Sequence, residues 1–193
     1  MRSSQRIPAT PLERYSDIRS RILNGDVLMY RGRSPLSRLV RWVTRSPYSH
    51  AGLASWWNDR LMVMEAVGRG VVVTLLSDNV GTYNGRVEWF SCVTPINPST
   101  REAMIRFAQA ELGKEYGTWN ALLLGLRLLF KRGIEQRDTL RRERRLFCSH
   151  YVAQVYNVAG MDLAEGISDR FMSPGDIARA TLLRRVAVLK TSR

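Results

Sequence analysis

"SHAGLASWWNDRLMVMEAV", Ser49 to Val67, is two apolar runs joined by a polar turn. The Asn58-Asp59 pair at the junction suits a tight hairpin, because both residue types tolerate the backbone angles such turns demand. With the turn on that pair, opposed residue numbers sum to 117, so Gly52 faces Glu65 and His50 faces Val67. Side chains alternate across a strand, which puts His50 and Gly52 on one side and makes Glu65 a diagonal neighbour of His50 there. A slip of one residue would send Glu65 to the other face. The stretch therefore predicts an antiparallel hairpin that holds an imidazole near a carboxylate.

Working outward, "GDVLMYRG" (Gly25–Gly32) reads as a strand bounded by glycines. "SPLSRLVRWVTR" has the spacing of a short amphipathic helix, with Leu36, Leu39, Val40 and Val43 apolar and Arg38, Arg41 and Arg45 on the wet side. "GVVVTLLS" and "RVEWFSCV" continue the sheet, and Cys92, alternating with Phe90, is expected in the core. Beyond Pro95, "NPSTREAMIRFAQAELG" predicts a helix with Ser99 or Thr100 as N-cap and Gly113 at its end. A second helical segment is expected over 118–131, a third from about Cys148, then a short helix and a last strand in "SPGDIARATLLRRVAVL". With no internal repeat and no low-complexity linker, sheet and helices should share one α+β core spanning 21–193. Residues 1–20 are expected as a basic N-terminal arm, either mobile or a short helix.

The chain has 193 residues and a formal net charge of +13, which points to an anionic partner: a nucleic acid, an acidic membrane face or a cell-wall polymer. Two cysteines and two histidines are too few for a disulfide framework or a zinc cluster, so neither a metal nor another cofactor is expected. The first residues lack the apolar run of a signal peptide. The longest apolar run, "NALLLGLRLLF" (Asn120–Phe130), is about half of what spans a bilayer and contains Arg127. It is expected as a buried or interfacial helix, and the protein as cytoplasmic or exported by a route not visible in sequence.

"RRLFCSHYVAQVY" (Arg144–Tyr156) places Cys148 at the start of an apolar helix. Unpaired backbone N–H groups and the helix dipole favour a thiolate there and supply donors for an oxyanion. Taken alone, a buried structural cysteine is the commoner case. The base must be a histidine. His150 lies two residues on, about 200° round the helix, so His50 is the better partner. Thiolate, base and carboxylate can thus be drawn as Cys148, His50 and Glu65 from spacing alone. The plainer alternative is a surface histidine beside a strand glutamate.

In chain order, "GDVLMYRG", "SRLVRWVTRSPYSHAGLA", "MEAVGRGVV", "AQAELGKEYGTWN", "FCSHYVAQVYNVAG" and "SPGDIARA" resemble the circularly permuted, YiiX-like branch of the NlpC-type papain-fold cysteine hydrolases. There the histidine strand precedes the cysteine helix. The resemblance runs from about Gly25 to Asp176. It implies a permuted papain-like fold, an antiparallel sheet or half-barrel packed against the cysteine helix, with Cys148 as nucleophile, His50 as base and Glu65 as the orienting third residue. It also suggests Tyr116 and Tyr30 as substrate-pocket residues by analogy, although tyrosines so placed often pack with the hydroxyl on a neighbour. His150 stands where the family commonly has Glu; it is expected as a solvated helix residue.

The function expected is cleavage of an amide, peptide or peptidoglycan-type, through an acyl-enzyme on Cys148. The alternative is a lipid acyltransferase or a thioesterase/esterase on the same Cys-His site. That alternative draws on the segment before Cys148, where an apolar helix leads into a stretch with eight Lys or Arg against three Asp or Glu from Arg127 to Arg145. This insertion, at about 118–145, suits an acyl chain with an anionic head, or docking on an acidic membrane; a helical hairpin with its charges exposed is the plainer account. A non-enzymatic nucleic-acid-binding protein is the remaining alternative, though no helix-turn-helix, zinc finger or RNA-binding strand is recognisable.

Overall fold

The computed structural model describes residues 10–68, 70–114 and 147–191. Tyr116, the expected helix over 118–131 and the basic insertion lie outside the described residues.

The hairpin forms in the expected register. Strand β3 (His50–Trp57) pairs antiparallel with β4 (Arg60–Val67), with Leu53 opposite Met64 and Trp57 opposite Arg60. Asn58 takes the left-handed φ of 54° that the turn needs. On the other side of β3 lies β2 (Val27–Gly32), with Tyr30 opposite His50. Strands β5 (Gly70–Leu75), β6 (Gly85–Cys92) and β7 (Leu183–Lys190), with β1 (Leu12–Arg14), complete a seven-stranded sheet in the order β1-β7-β6-β2-β3-β4-β5. All neighbours are antiparallel except β1 and β7, which run parallel. The fold is α+β. Part of the stretch expected as an arm is tied to the sheet: β1 pairs at its edge, and Ile18 of helix α1 (Tyr15–Ile18) is buried.

Both faces of the sheet are covered, which is why "GDVLMY" and "LMVM" read as nearly unbroken apolar runs. On one face Val27, Met29, Ala51, Leu53, Met64 and Phe90 pack against helices α4 (Pro98–Ala110), α5 (Phe147–Val158) and α6 (Pro174–Arg179), through Met104, Val152, Tyr156 and Ile177 among others. On the other, Leu28, Tyr30, Val63, Val87 and Trp89 pack with Ile18, Ile22 and Leu76. Leu76 begins helix α3 (Leu76–Thr82), which the sequence reading ran into the preceding strand. Seven residues are too few for an amphipathic repeat to declare itself. Helix α2 (Pro35–Thr44) is as expected, capped by Ser34, with Val40 and Val43 buried and Arg38 and Arg45 exposed. Helix α4 is capped one turn earlier than expected. Asn97 is the N-cap, its side chain accepting the Thr100 N–H at 2.8 Å, because Pro98 takes the first helical position where its missing N–H costs nothing.

A buried carboxylate ties strands to helices. Asp26, at the start of β2, accepts from Trp89 Nε1 (2.7 Å), Ser91 Oγ (3.1 Å), the Leu23 N–H (3.1 Å) and Arg101 of α4 (3.3 Å). Arg101 also donates to the Asn24 carbonyl, and Tyr156 of α5 donates to the Gly25 carbonyl at 2.9 Å. Replacing Asp26 with Ala orphans a buried guanidinium and an indole N–H. The expected loss is about 3–5 kcal/mol of folding free energy, read from the urea midpoint at unchanged slope.

Candidate active site

His50 is the first residue of β3, and its position there decides what it can reach. By the alternation of the strand it shares a face with Gly52 and, through the hairpin register, with Glu65 of β4. Its Nε2 lies 3.1 Å from Glu65 Oε2. Gly52 leaves the room for this: a Cβ at that position would stand 2.9 Å from Glu65 Cγ, closer than carbons approach.

Cys148 arrives from the opposite face. It is the second residue of α5, which packs on the Ala51 and Leu53 side of the sheet. At the start of β3 the helix end meets the strand. The His50 ring and the Ala51 backbone N–H lie close enough to the Cys148 sulfur to favour its charged form, and Ser149 Oγ is 3.9 Å away. With Nε2 on Glu65, Nδ1 is the ring nitrogen left for the thiol. The His50 side chain keeps 20% of its exposure, so the dyad opens to solvent on the histidine side while Cys148 is buried.

The electrostatics follow from these contacts. Burial pushes the Cys148 thiol up, but the His50 cation, its hydrogen bond and the Ala51 N–H outweigh this and leave the thiol below its usual value. Burial pushes His50 down, while the Cys148 thiolate first and then Glu65 draw it well above an ordinary imidazole. Burial likewise raises Glu65; hydrogen bonds from His50, Tyr30 and Asn79 and the His50 charge hold it below the usual range. The thiol and the imidazole thus each favour the other's charged form. Cys92 is the internal control: also buried, with Tyr156 Oη 3.8 Å from its sulfur, it is raised by burial.

The structure thus brings together Cys148, His50 and Glu65, three residues singled out in the sequence. It gives Tyr30 a different place from a substrate pocket. Tyr30 is fully buried behind the dyad, its hydroxyl donates to Glu65 Oε1 at 2.6 Å, and its ring lies 5.2 Å from that of His50. Its hydroxyl is spent on the carboxylate, so it acts on Glu65 and touches no open surface. His150 is half-buried. Asn79 of α3 was missed: its Nδ2 donates to Glu65 Oε1 at 2.8 Å. No periodic signal could have found it, because its approach depends on where β5 stops and α3 turns back.

Comparison with known proteins adds a likeness of fold. No family model matches the chain, and no curated protein does. Among solved structures it is similar to that of the metalloprotein YiiX (DUF1105) from Escherichia coli O157:H7, with a TM-score of 0.63 and 22% identity over 86% of this chain and 97% of the other. At that identity the similarity concerns the fold.

Removing the sulfur tests the charge coupling. In Cys148→Ala the His50 titration, followed by imidazole NMR, should move to lower pH, since the thiolate is the strongest influence raising it. Because the folded value is raised, stability contributed by His50 is present below its unfolded value of 6.5 and is lost as pH rises through the folded one. That loss should set in at lower pH in the variant.

Proposed function

We propose that the protein is a cysteine hydrolase of the permuted papain-like kind, cleaving an amide through an acyl-enzyme on Cys148. The observation that carries this reading is the convergence of Cys148 at the start of α5, His50 at the start of β3 and Glu65 at 3.1 Å from His50, where His50 draws the Cys148 thiol below its usual value while burial raises that of Cys92. The order of histidine strand before cysteine helix, the hairpin register and the YiiX-like fold support it.

The reaction follows from the groups present. The Cys148 thiolate attacks the carbonyl carbon, a C–S bond forms, and the carbonyl electrons move to oxygen. Backbone N–H groups at the start of α5 face the developing oxyanion. As the C–N bond breaks, the His50 imidazolium gives its proton to the departing nitrogen. Neutral His50 then takes a proton from water, the hydroxide attacks the thioester, and the acid leaves as the thiolate returns. Glu65 holds the far ring nitrogen throughout, fixing the tautomer and the ring plane.

YiiX is described as a metalloprotein, which raises the question of an ion here. Among the described residues no three His, Cys, Asp or Glu side chains converge on one point. Both Glu65 oxygens accept hydrogen bonds, and His50 Nε2 faces one of them. These residues do not fit a metal, and no step above passes through one.

The substrate class proposed is a peptide or peptidoglycan-type amide, for which a chain of net charge +13 suits an anionic polymer surface. Among the described residues no helix is long and apolar enough to cross a membrane.

Mass analysis after an electrophilic thiol probe at neutral pH tests the site. One label should attach to wild type, persist in Cys92→Ala and vanish in Cys148→Ala. In His50→Ala, peptide or cell-wall amide hydrolysis should fall by about 10²–10⁴-fold. Labelling of Cys148 no faster than a free thiol and indifferent to His50 would sink the reading. Acyl transfer from a lipid donor without amide cleavage would move the substrate class to lipids.

A further inference from the structure

Behind the dyad, Glu65 is held by more than His50. Its Oε1 accepts two hydrogen bonds, from Tyr30 at 2.6 Å and from Asn79 at 2.8 Å, while Oε2 meets His50 Nε2 at 3.1 Å. Carboxylate, phenol and amide thus meet at one oxygen. Its other atom is informative: Asn79 Oδ1 is buried and, among the described residues, accepts no hydrogen bond. The side chain commits its donor to Glu65.

We propose that Asn79 is a positioning residue of the active site: with Tyr30 it pins Oε1 of Glu65, which fixes Oε2 on His50 Nε2. The inference rests on the hydrolase reading and deepens it by adding a second layer behind the triad. A carboxylate has two equivalent oxygens and turns freely about its last bond unless both are engaged. On one side the Gly52 surface lies against Glu65 Cγ. Tyr30 comes from β2 and Asn79 from α3, so two elements that pack separately on β3 and β4 converge on one oxygen. The groups around the carboxylate are His50, Tyr30 and Asn79, with the Tyr83 ring tilted against that of Tyr30 at 4.9 Å and Cys148 beyond His50. Asp78, next to Asn79, is exposed and bonds Ser77. With its donors removed, Glu65 becomes harder to ionise and free to rotate, His50 loses its anchor, and the Cys148 thiolate loses part of its counter-charge.

The test is the pH dependence of Cys148 alkylation by iodoacetamide, in a Cys92→Ala background so that one thiol is read. Wild type, Asn79→Leu, Tyr30→Phe and the double variant are compared. The midpoint should rise by about one pH unit in Asn79→Leu, roughly a tenfold slower reaction on the acid side at a given pH. The double variant should shift less than the sum of the singles, because both act on one oxygen. Asn79 is only half-buried, so its variant should fold, as circular dichroism would check, even if Tyr30→Phe does not. An unmoved midpoint in Asn79→Leu, with a depressed midpoint in wild type, overturns the role of Asn79 and leaves the hydrolase reading standing. A wild-type midpoint at the ordinary thiol value of about 8.5 removes both.

Discussion

A single imidazole joins the two faces of the sheet, and the site depends on it. Each charge in the trio is one that burial opposes: a thiolate, an imidazolium and a carboxylate, all shifted the wrong way by desolvation. None would stand alone. Together each supplies the counter-charge or donor that its neighbour lacks, and the geometry must be held before the charges can be. His50 can serve both partners because it opens β3, where a side chain directed to one face is still within reach of a helix end on the other.

That constraint explains what was legible in the sequence. The hairpin register followed from a two-residue turn and a period of two, and both are local rules that a short stretch obeys without help. Once Asn58 was placed at the turn, Glu65 had to fall beside His50. The approach of Cys148 is different in kind. Ninety-odd residues separate it from His50, and local spacing says only that it heads a helix. What made the pairing readable was elimination among two histidines, together with a resemblance that spans most of the chain. Asn79 and the bond from Tyr30 to Glu65 stayed hidden because they depend on tertiary convergence. A tyrosine in a strand reads the same whether its hydroxyl meets solvent or a buried carboxylate.

Two other buried carboxylates, Asp26 and Glu88, show how the setting of Glu65 differs. Asp26 gathers donors from β6, α4 and its own loop, and Glu88, fully buried, accepts from Tyr48 at 2.6 Å and pairs with Arg185 at 2.7 Å. These hubs bind elements to one another and face permanent cations or neutral donors. Glu65 faces an imidazole that can gain or lose its proton and opens toward solvent. Burial and hydrogen bonding are shared by all three; only in Glu65 do they act on a proton that can move.

A carboxylate third member also bears on the proposed chemistry. A neutral amide in that place would orient the ring, but a negative charge raises its basicity as well, which favours the imidazolium and, through it, the Cys148 thiolate. This favours a nucleophile formed before substrate arrives, at some cost in intrinsic reactivity, since a thiol with a lowered value is a weaker nucleophile. The return comes in the second half of acylation. A poor leaving group such as an amine needs a proton as the C–N bond breaks, and the imidazolium already holds one at the correct nitrogen. Esters and thioesters leave readily without that help, so a strongly basic, firmly anchored histidine is worth most to an enzyme that breaks amides.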